Sequence, residues 1–478
     1  MVKRAFSRKN LWENLPQGLK STVGRVAGLL PPAFLLGRDF RQWYRFAQAA
    51  DGWSAEQVRQ YQLDEVRKIC ALAVDQSRFY KRVFSESGFS PDRLQSLEDL
   101  DRLPLIDKHT IVEHQADMLC CSPDAPGVDY VATGGSSGEP TQFLISANRS
   151  APEFAHLAGS WSRTGYGISS TMASLRGQII PPDRNGLHHY YDPLLRRHNY
   201  SNFYMTDDAM DRYFRHIETI GDCYLHTYPS SINMLVRYLK RSGRVPPANI
   251  KALLIGSENV YVEDRAVAEE VFGVRYYSWY GHSEKLVFAA ECEHDSRYHV
   301  SPTYGYCELV DDDGNRVTTP GQTGEIVGTG FINRVMPFIR YRTGDYARLV
   351  GDHCSACGRN FMLIDEVKGH NVLEMLVAKD HSLIPWAACN VHDDTFAEVL
   401  RFQFVQHEPG KATVRVIAAC AGREINKDRI ADNMNQRLQG RIRFDIEVVS
   451  EIPLTTHGKS VFVDQRLDIE RMISGDEK

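Results

Sequence analysis

The chain has 478 residues, which is too long for one compact core and predicts two or more domains. Hydrophobic residues make up 42% and charged residues 24%, as is ordinary for a soluble globular protein. The formal net charge of -5 gives no overall attraction to nucleic acid, so we expect no nucleic-acid partner.

Residues 1–50 form an N-terminal arm with basic and aromatic side chains. Its apolar run from Val26 to Gly37 is broken by Pro31 and Pro32. The run is shorter than the roughly 20 residues that span a bilayer, so we predict no transmembrane segment. It could rest weakly on a membrane surface or pack as a helix-turn segment on the main domain. The ten scattered cysteines show no secreted disulfide pattern and favour a reducing, cytoplasmic location.

The next stretches alternate between helical and strand patterns. Ser54-Ala-Glu-Gln57 has the form of a capping box and predicts a long helix whose buried side carries Val58, Leu63, Val66, Ile69 and Ala73. Two further helices are predicted at Ser150–Tyr166 and Asp208–Ile220. Apolar runs predict strands at Ala252–Gly256, Val274–Trp279, Tyr306–Val310 and Glu325–Gly330. This alternation predicts an α/β architecture with functional sites at the carboxyl ends of strands.

The character of the chain changes after about Asp365. Short strand-like runs at Lys411–Ala419 and Asp445–Val449 flank a helical pattern from Glu424 to Leu438, in which Ile430, Met434 and Leu438 mark one face. We therefore predict a large domain over residues 51–367 and a small α+β domain over residues 368–478.

A loop rich in glycine and hydroxyl groups lies between Val131 and Gln142. Glycine allows positive φ, so neighbouring N–H groups can point at one ligand, and hydroxyls add donors to the same concavity. We expect Thr133, Ser136, Ser137 and Gly138 to hold nucleotide phosphates. The loop is not a Walker loop, because no lysine follows its last glycine. The alternative is an ordinary surface turn.

Cys354-Ser-Ala-Cys357 provides half of a possible zinc site. The upstream partners that we favour are Cys292 and His299, with His294 as the competing ligand. Such a Cys₃His site would be closed and structural. A redox pair and four free thiols are the rival interpretations.

Three more motifs follow the Gly/Ser loop in order. They are Tyr280-Gly281-His282-Ser283-Glu284, Tyr341-Arg342-Thr343-Gly344-Asp345 and the segment from Pro453 to Gly458-Lys459. Together, the four motifs resemble the adenylate-forming superfamily of acyl-CoA synthetases, adenylation domains and luciferases. The likeness covers about Trp53 to about Arg466 and points to the phenylacetate–CoA ligase-like branch, which includes CapK-type proteins. It implies a large N-terminal adenylation domain of several subdomains, with mixed β-sheets and helices, and a small mobile α+β C-terminal domain.

The resemblance also implies roles for individual residues. Lys459 would bridge the substrate carboxylate and the α-phosphate, Glu284 would hold Mg²⁺, and Asp345 would bind the ribose hydroxyls. The Gly256 turn and the Tyr280 ring would enclose the adenine, and further nucleotide contacts would come from Ser257, Glu258, Gly281 and Ser283. The acid pocket would include Trp161, Tyr228 and Ser230, although Ser230 is also a plausible helix N-cap.

One position departs from the family pattern. Gly369-His370 stands where the family usually has Gly-Arg, and the charge of His370 depends on pH while that of arginine does not. We still count His370 among the catalytic candidates.

The implied function is an ATP- and Mg²⁺-dependent carboxylic-acid ligase that forms an acyl-adenylate and transfers the acyl group, with CoA as the favoured acceptor. The first alternative is transfer to an amino sugar, amino acid or carrier protein. The second is a nucleotide-binding relative without turnover.

Overall fold

The computed structural model describes residues 32–132, 142–176, 180–202, 204–369, 375–381, 383–385, 394–396, 398–418, 425–438, 440–454 and 461–469. The first 31 residues of the N-terminal arm therefore lie outside the described residues. None of the helices in the described ranges has the length and apolar character required to cross a membrane.

The α-helices in these ranges are α1 (Pro32–Leu35), α2 (Gly37–Ala50), α3 (Ala55–Gln76), α4 (Arg78–Glu86), α5 (Lys108–Met118), α6 (Ser150–Trp161), α7 (Asp207–Ile217), α8 (Pro229–Ser242), α9 (Val262–Phe272) and α10 (Lys427–Arg437).

The strands are β1 (Val128–Ala132), β2 (Gln142–Ser146), β3 (Thr171–Arg176), β4 (His189–Asp192), β5 (Arg197–Ser201), β6 (Cys223–Thr227), β7 (Ile250–Gly256), β8 (Arg275–Gly281), β9 (Phe288–Ala290), β10 (Tyr298–Val300), β11 (Gly305–Val310), β12 (Thr323–Gly330), β13 (Tyr341–Gly351), β14 (Leu363–Gly369), β15 (Met375–Val377), β16 (Leu383–Pro385), β17 (Val399–Glu408), β18 (Lys411–Ala418), β19 (Arg443–Val448) and β20 (Val463–Gln465).

The chain divides into two compact units. The first comprises residues 1–170, 192–196 and 277–370, and the second comprises residues 171–191, 197–276 and 371–478. The mixed α/β architecture predicted from the sequence is confirmed. The division into residues 1–50, 51–367 and 368–478 remains a prediction, and within the first unit Phe40 of α2 is buried against Phe154 of α6, with ring centroids 5.5 Å apart.

Long helix α3 begins as its sequence predicts. The Ser54 hydroxyl accepts a hydrogen bond from Gln57 N at 3.2 Å, and the Gln57 side chain accepts one from Ser54 N at 2.9 Å. The four expected core residues of α3 from Leu63 onward are buried, but Val58 is only half-buried because it lies in the first turn. The helix predicted to continue to Tyr166 is shorter than expected, since Gly165 at φ +87° closes the turn after Trp161.

The first unit contains an antiparallel arrangement in the order β11-β12-β13-β14-β10-β9-β8. Strands β1 and β2 pair separately, and their last described partners, Ala132 and Gln142, directly flank the Gly/Ser loop. Beneath β13, the buried guanidinium of Arg340 donates from Nε to Glu308 Oε1 at 2.6 Å and from Nη1 to the Leu103 carbonyl at 2.7 Å. These bonds fix the start of the Tyr341–Asp345 motif against the segment that precedes α5.

The second unit is built on parallel strands. β5, β3, β6 and β7 are neighbours in that order, and Leu175 pairs with Thr227, which in turn pairs with Ile255. The carboxyl ends of β3, β6 and β7 therefore lie side by side at one edge. This is the edge at which ligands bind in open α/β sheets.

The C-terminal part of this unit is an α+β arrangement with strand order β19-β18-β17-β20. Ile430, Met434 and Leu438 are buried with strand residues of this sheet, as their spacing predicts. Helix α10 begins later than the predicted Glu424, because the side chain of Asn426 accepts a hydrogen bond from Arg429 N at 2.9 Å and caps the helix.

Candidate active site and metal cluster

Two of the sequence motifs meet in the first unit. The Tyr280 hydroxyl donates a hydrogen bond to Asp345 Oδ2 at 2.7 Å, although 65 positions separate the two residues. Burial raises the pKa of Asp345, and the hydrogen bond from Tyr280 opposes this effect by stabilising the carboxylate. The arrangement holds an oriented carboxylate beside the Tyr280 ring, as a ribose-binding role would require.

The acidic residue of the first of these motifs is close to a histidine. Glu284 Oε2 lies 3.2 Å from His282 Nδ1, and both side chains are largely buried. Burial by itself would raise the pKa of Glu284, but the hydrogen bond with His282 and the charges of His282 and Lys285 lower it overall. The carboxylate therefore stays ionised near pH 7, which is the form that binds Mg²⁺ beside phosphates. Gly281 is the last residue of β8. Ser283 and Glu284 form the turn that follows, and the next residue, Lys285, adopts φ +60°.

The Tyr341–Asp345 motif is held by Glu325 of β12. One oxygen of Glu325 accepts from Arg342 Nε at 2.6 Å, and the other accepts from Gly344 N at 3.0 Å. Gly344 adopts φ +75°, a conformation that side chains other than glycine rarely take. The Thr343 hydroxyl accepts from Asp345 N at 3.1 Å and so fixes the backbone of the aspartate.

The chain after Glu284 crosses a surface of glycines. A Cβ on Gly305 would lie 1.9 Å from the Leu286 carbonyl oxygen, and a Cβ on Gly328 would lie 2.7 Å from Leu286 Cβ. A Cβ on Gly330 would lie 2.6 Å from Leu286 Cδ2. Only glycine at these positions allows Leu286 to pack against the sheet, and this packing fixes where the preceding motif ends.

In the second unit, an arginine that the sequence analysis did not single out occupies the carboxyl edge of the parallel strands. Arg176, the last residue of β3, donates to His226 Nε2 at 2.8 Å and to the Ser257 hydroxyl at 2.8 Å. Its guanidinium also lies 4.2 Å from the centroid of the Tyr228 ring. Burial, together with the charges of Arg176 and Arg197, lowers the pKa of His226 well below its usual value. The imidazole is therefore neutral and accepts from Arg176.

The turn after β7 is strained and tightly bonded. Ser257, next to Gly256, adopts φ +74°, which is uncommon outside glycine. The Glu258 carboxylate accepts from Ser230 N at 2.9 Å and from the Ser230 hydroxyl at 3.1 Å. The suggestion that Ser230 is an N-cap is wrong, because α8 begins at Pro229 and is preceded by Tyr228. Ser230 lies inside the helix and bonds to the turn after β7 instead.

Trp161, which the resemblance assigns to the acid pocket, has no exposed surface in the first unit. It is fully buried, with ring centroids 5.3 Å from Tyr166 and 5.5 Å from Trp279. A substrate could reach its indole only after these neighbours move. The remaining candidates lie outside the described residues: Thr133, Ser136, Ser137, Gly138, His370 and Lys459.

The four residues predicted as zinc ligands come together in the first unit. One ligand atom from each of Cys292, His299, Cys354 and Cys357 lies within 4.8 Å of the others. Cys292 follows β9, His299 lies in β10, and the two remaining cysteines lie in the turn between β13 and β14. The segment with Cys292 and His299 is far in sequence from the turn with Cys354 and Cys357. The pairing of β10 with both β9 and β14 brings the two together.

The surroundings of these four residues fit a metal ion. His299 Nδ1 lies 3.0 Å from the Arg297 carbonyl oxygen, which fixes the tautomer with Nε2 as the ligand atom. Nε2 lies 3.3 Å from Cys357 Sγ, and His294 N donates to Cys292 Sγ at 3.4 Å. The pKa of Cys357 is lowered even though burial opposes this, because hydrogen bonds from Arg359 favour the thiolate. A thiolate is the form that binds zinc.

Comparison with known proteins gives consistent relatives. No protein-family model matches the chain. The chain is 22% identical over 423 residues to a phenylacetate-coenzyme A ligase of Thermus thermophilus, covering 85% of this chain and 94% of that protein. It is 21% identical over 399 residues to Protein CapK of Staphylococcus aureus, covering 81% of this chain and 84% of that protein.

The fold is also shared with solved structures. A 2-hydroxyisobutyryl-CoA ligase, in the postadenylation state and in complex with R3-HIB-AMP, superposes with a TM-score of 0.64 at 19% identity. The similarity covers 89% of this chain and 93% of that one. These similarities show that the chain resembles phenylacetate-coenzyme A ligases and Protein CapK in sequence and shares its fold with a CoA ligase, in agreement with the resemblance that the four ordered motifs indicate.

Proposed function

We propose that the chain is an ATP-dependent carboxylic-acid ligase that forms an acyl-adenylate and passes the acyl group to CoA. In the first half-reaction, a carboxylate oxygen of the acid attacks the α-phosphorus of ATP, and the bond to the β-phosphate breaks to release pyrophosphate. In the second, the sulfur of CoA attacks the acyl carbon, the thiol proton passes to solvent or a base, and AMP leaves. The observation that carries this proposal is the hydrogen bond from Tyr280 to Asp345, through which the motif of Tyr280 and Glu284 meets the motif that ends at Asp345.

Each of these side chains has a distinct role in the proposal. The oriented Asp345 carboxylate accepts from the ribose hydroxyls, and the Tyr280 ring lies against the adenine. Glu284 holds Mg²⁺, which would neutralise the phosphate charge as pyrophosphate departs. Lys459 supplies a second positive charge between the two anionic reactants. The small domain would rotate between the half-reactions, as the family resemblance implies.

We place the acid pocket at the carboxyl edge of the parallel strands in the second unit. Tyr228 and Ser230 lie there with Arg176 and His226, which sequence reasoning did not single out. A guanidinium at this edge provides donors for an acid that carries a second polar or anionic group. The signal in the sequence was an arginine at the end of the strand Thr171–Arg176, a weak pattern on its own.

The zinc site is part of the proposal as a structural element. Cys292, His299, Cys354 and Cys357 would hold one Zn²⁺ in a closed set of four ligands, with no open position for chemistry. The ion would join the turn after β13 to the strands β9 and β10.

Pyrophosphate release tests the main proposal. We would measure it with ATP and Mg²⁺ over a panel of aromatic, aliphatic, hydroxy and amino acids, each with and without CoA. Release that depends on one acid and rises with CoA is the expected result. Release that depends on an acid but does not respond to CoA would favour an amine or carrier protein as acceptor. ATP binding without release for any acid would favour the relative without turnover.

Lys459→Ala tests the role of the C-terminal lysine. We expect adenylation to fall at least 100-fold, on the order of the 3 kcal/mol that one charge-stabilising group contributes in a transition state. ATP binding and the thermal unfolding midpoint should stay close to those of the unmodified chain. Unchanged pyrophosphate release in this variant would contradict the assignment.

A further inference from the structure

A cluster of three histidines in the second unit has no role in the reaction proposed above. His189 begins β4, His198 lies in β5, and His216 lies in the last turn of α7. One ring nitrogen of each lies within 4.8 Å of those of the other two. All three rings are partly exposed, so an ion in solution can reach them. The cluster is distinct from the Cys₃His set, which lies in the first unit.

The distances between these rings suit a shared ion. His189 Nε2 lies 3.0 Å from His198 Nδ1, and the rings of His189 and His216 have centroids 4.3 Å apart. Two imidazole nitrogens at zinc–nitrogen distances of about 2.0–2.1 Å and a tetrahedral angle are roughly 3.4 Å apart. A small opening of the His189–His198 contact would therefore place both nitrogens on one ion.

The third histidine is oriented in the way metal ligands usually are. The Tyr200 hydroxyl bonds to His216 Nδ1 at 2.7 Å, so the ring presents Nε2 as its other nitrogen. In most histidine metal sites the non-coordinating N–H donates a hydrogen bond that fixes the ring and its tautomer, and in the metal-bound form the Tyr200 oxygen would accept it from His216 Nδ1. The carboxylate of Asp183 is among the charges that act on both His189 and His216, and its sign favours a cation.

We propose that His189, His198 and His216 bind one divalent transition-metal ion, with Zn²⁺ as the most suitable. Imidazole nitrogen is a borderline ligand that selects zinc, copper, nickel or cobalt over magnesium or calcium. Three protein ligands leave a fourth position for water or another small ligand, unlike the closed Cys₃His set. The ion would tie two strands to a helix and stabilise this part of the second unit.

Metal titration of the full-length chain tests the proposal. Co²⁺ reports its ligands, because a thiolate ligand gives an intense near-ultraviolet charge-transfer band and an imidazole ligand does not. We would add Co²⁺ and then Zn²⁺ to the purified protein and measure equivalents bound, affinity and absorption. We expect one equivalent that gives visible cobalt bands without the thiolate band and that Zn²⁺ displaces.

Three variants separate this site from others. His198→Asn should weaken the equivalent at least 100-fold, and Tyr200→Phe should weaken it about 10-fold, the lower end of the range for an outer hydrogen bond. His188→Asn is the matched control, because His188 is next to His189 but bonds to the Ile180 carbonyl at 2.7 Å instead. It should bind as tightly as the unmodified chain. Circular dichroism would establish that each variant is folded.

Several outcomes would overturn the proposal. They are the absence of an imidazole-type equivalent in the unmodified chain, equal affinity in His198→Asn, equal losses in His188→Asn, and a thiolate band that is lost together with the equivalent in His198→Asn. If His198→Asn fails to fold, Tyr200→Phe decides, because it keeps all three imidazoles and removes only the hydroxyl that orients His216.

Discussion

At the scale of single residues, the site depends on polar groups that burial would otherwise destabilise. Asp345 receives a hydrogen bond from Tyr280, and Glu284 is paired with His282. Burying a charged group is costly unless it is bonded in this way. Each of these two carboxylates is therefore held in a defined orientation before a nucleotide binds.

Arg176 is the residue whose replacement should report on the acid pocket. Arg176→Gln removes a cation whose hydrogen bonds to a ligand contribute about 1.5–3 kcal/mol, so we expect the KM for the acid to rise roughly 10- to 100-fold. The KM for ATP should change little. Steady-state kinetics with both substrates varied would measure this, with the exposed Arg184→Gln as control. A rise confined to the KM for ATP would place Arg176 outside the acid pocket.

His156 gives a prediction for stability against pH. It is fully buried, with Nδ1 2.7 Å from the Pro152 carbonyl and Nε2 2.8 Å from the Thr303 hydroxyl. Burial lowers its pKa from 6.5 to about 4, despite the opposing backbone bond. Between these values, the unfolded chain binds a proton that the folded chain does not. Stability is therefore full above pH 6.5 and falls by about 3 kcal/mol as the pH drops toward 4.

Urea unfolding at pH 7.5 and pH 4.5 would check this. His156→Gln keeps a donor and an acceptor but does not titrate, so its stability should fall less between the two pH values than that of the unmodified chain. An equal fall in both proteins would show that other groups dominate the acid limb.

At the scale of elements, the glycine surface formed by Gly305, Gly328 and Gly330 positions the segment after Glu284. Gly305→Ala should lower the free energy of unfolding by about 1–3 kcal/mol, since its Cβ would overlap a backbone oxygen that cannot move alone. Adenylation should also fall, because Leu286 must shift. Gly159→Ala is the control, as a Cβ there meets open space in a helix. If both variants unfold at the same temperature as the unmodified chain, the glycine surface does not constrain the motif.

At the scale of the whole molecule, the proposed zinc ion is a cross-link within the first unit. His299→Ala should remove the thiolate-to-cobalt absorption or weaken it strongly and should lower the thermal unfolding midpoint, because one of four ligands is lost. His294→Ala is the matched control, since His294 bonds to Cys292 through its backbone N–H and its ring is not among the four grouped ligands. Retention of the band in His299→Ala, with its loss in His294→Ala, would reverse the assignment of the histidine ligand.

Local elements were the most predictable part of the chain. The Ser54–Gln57 capping box and the buried face of α10 follow from side-chain chemistry and spacing, which act over a few residues. Errors occurred where a nearby residue ended an element early. Gly165 stops the helix after Trp161, and Asn426 delays the start of α10.

The sequence by itself determined the order of the motifs, the α/β class and the residue types that the chemistry needs, because these depend on local patterns. Tertiary structure decided which of those residues meet. It joined Tyr280 to Asp345, placed Arg176 between His226 and Ser257, and brought the three histidines together. These contacts join separate strands and helices, and their geometry follows from strand order and packing, which no short stretch of sequence specifies.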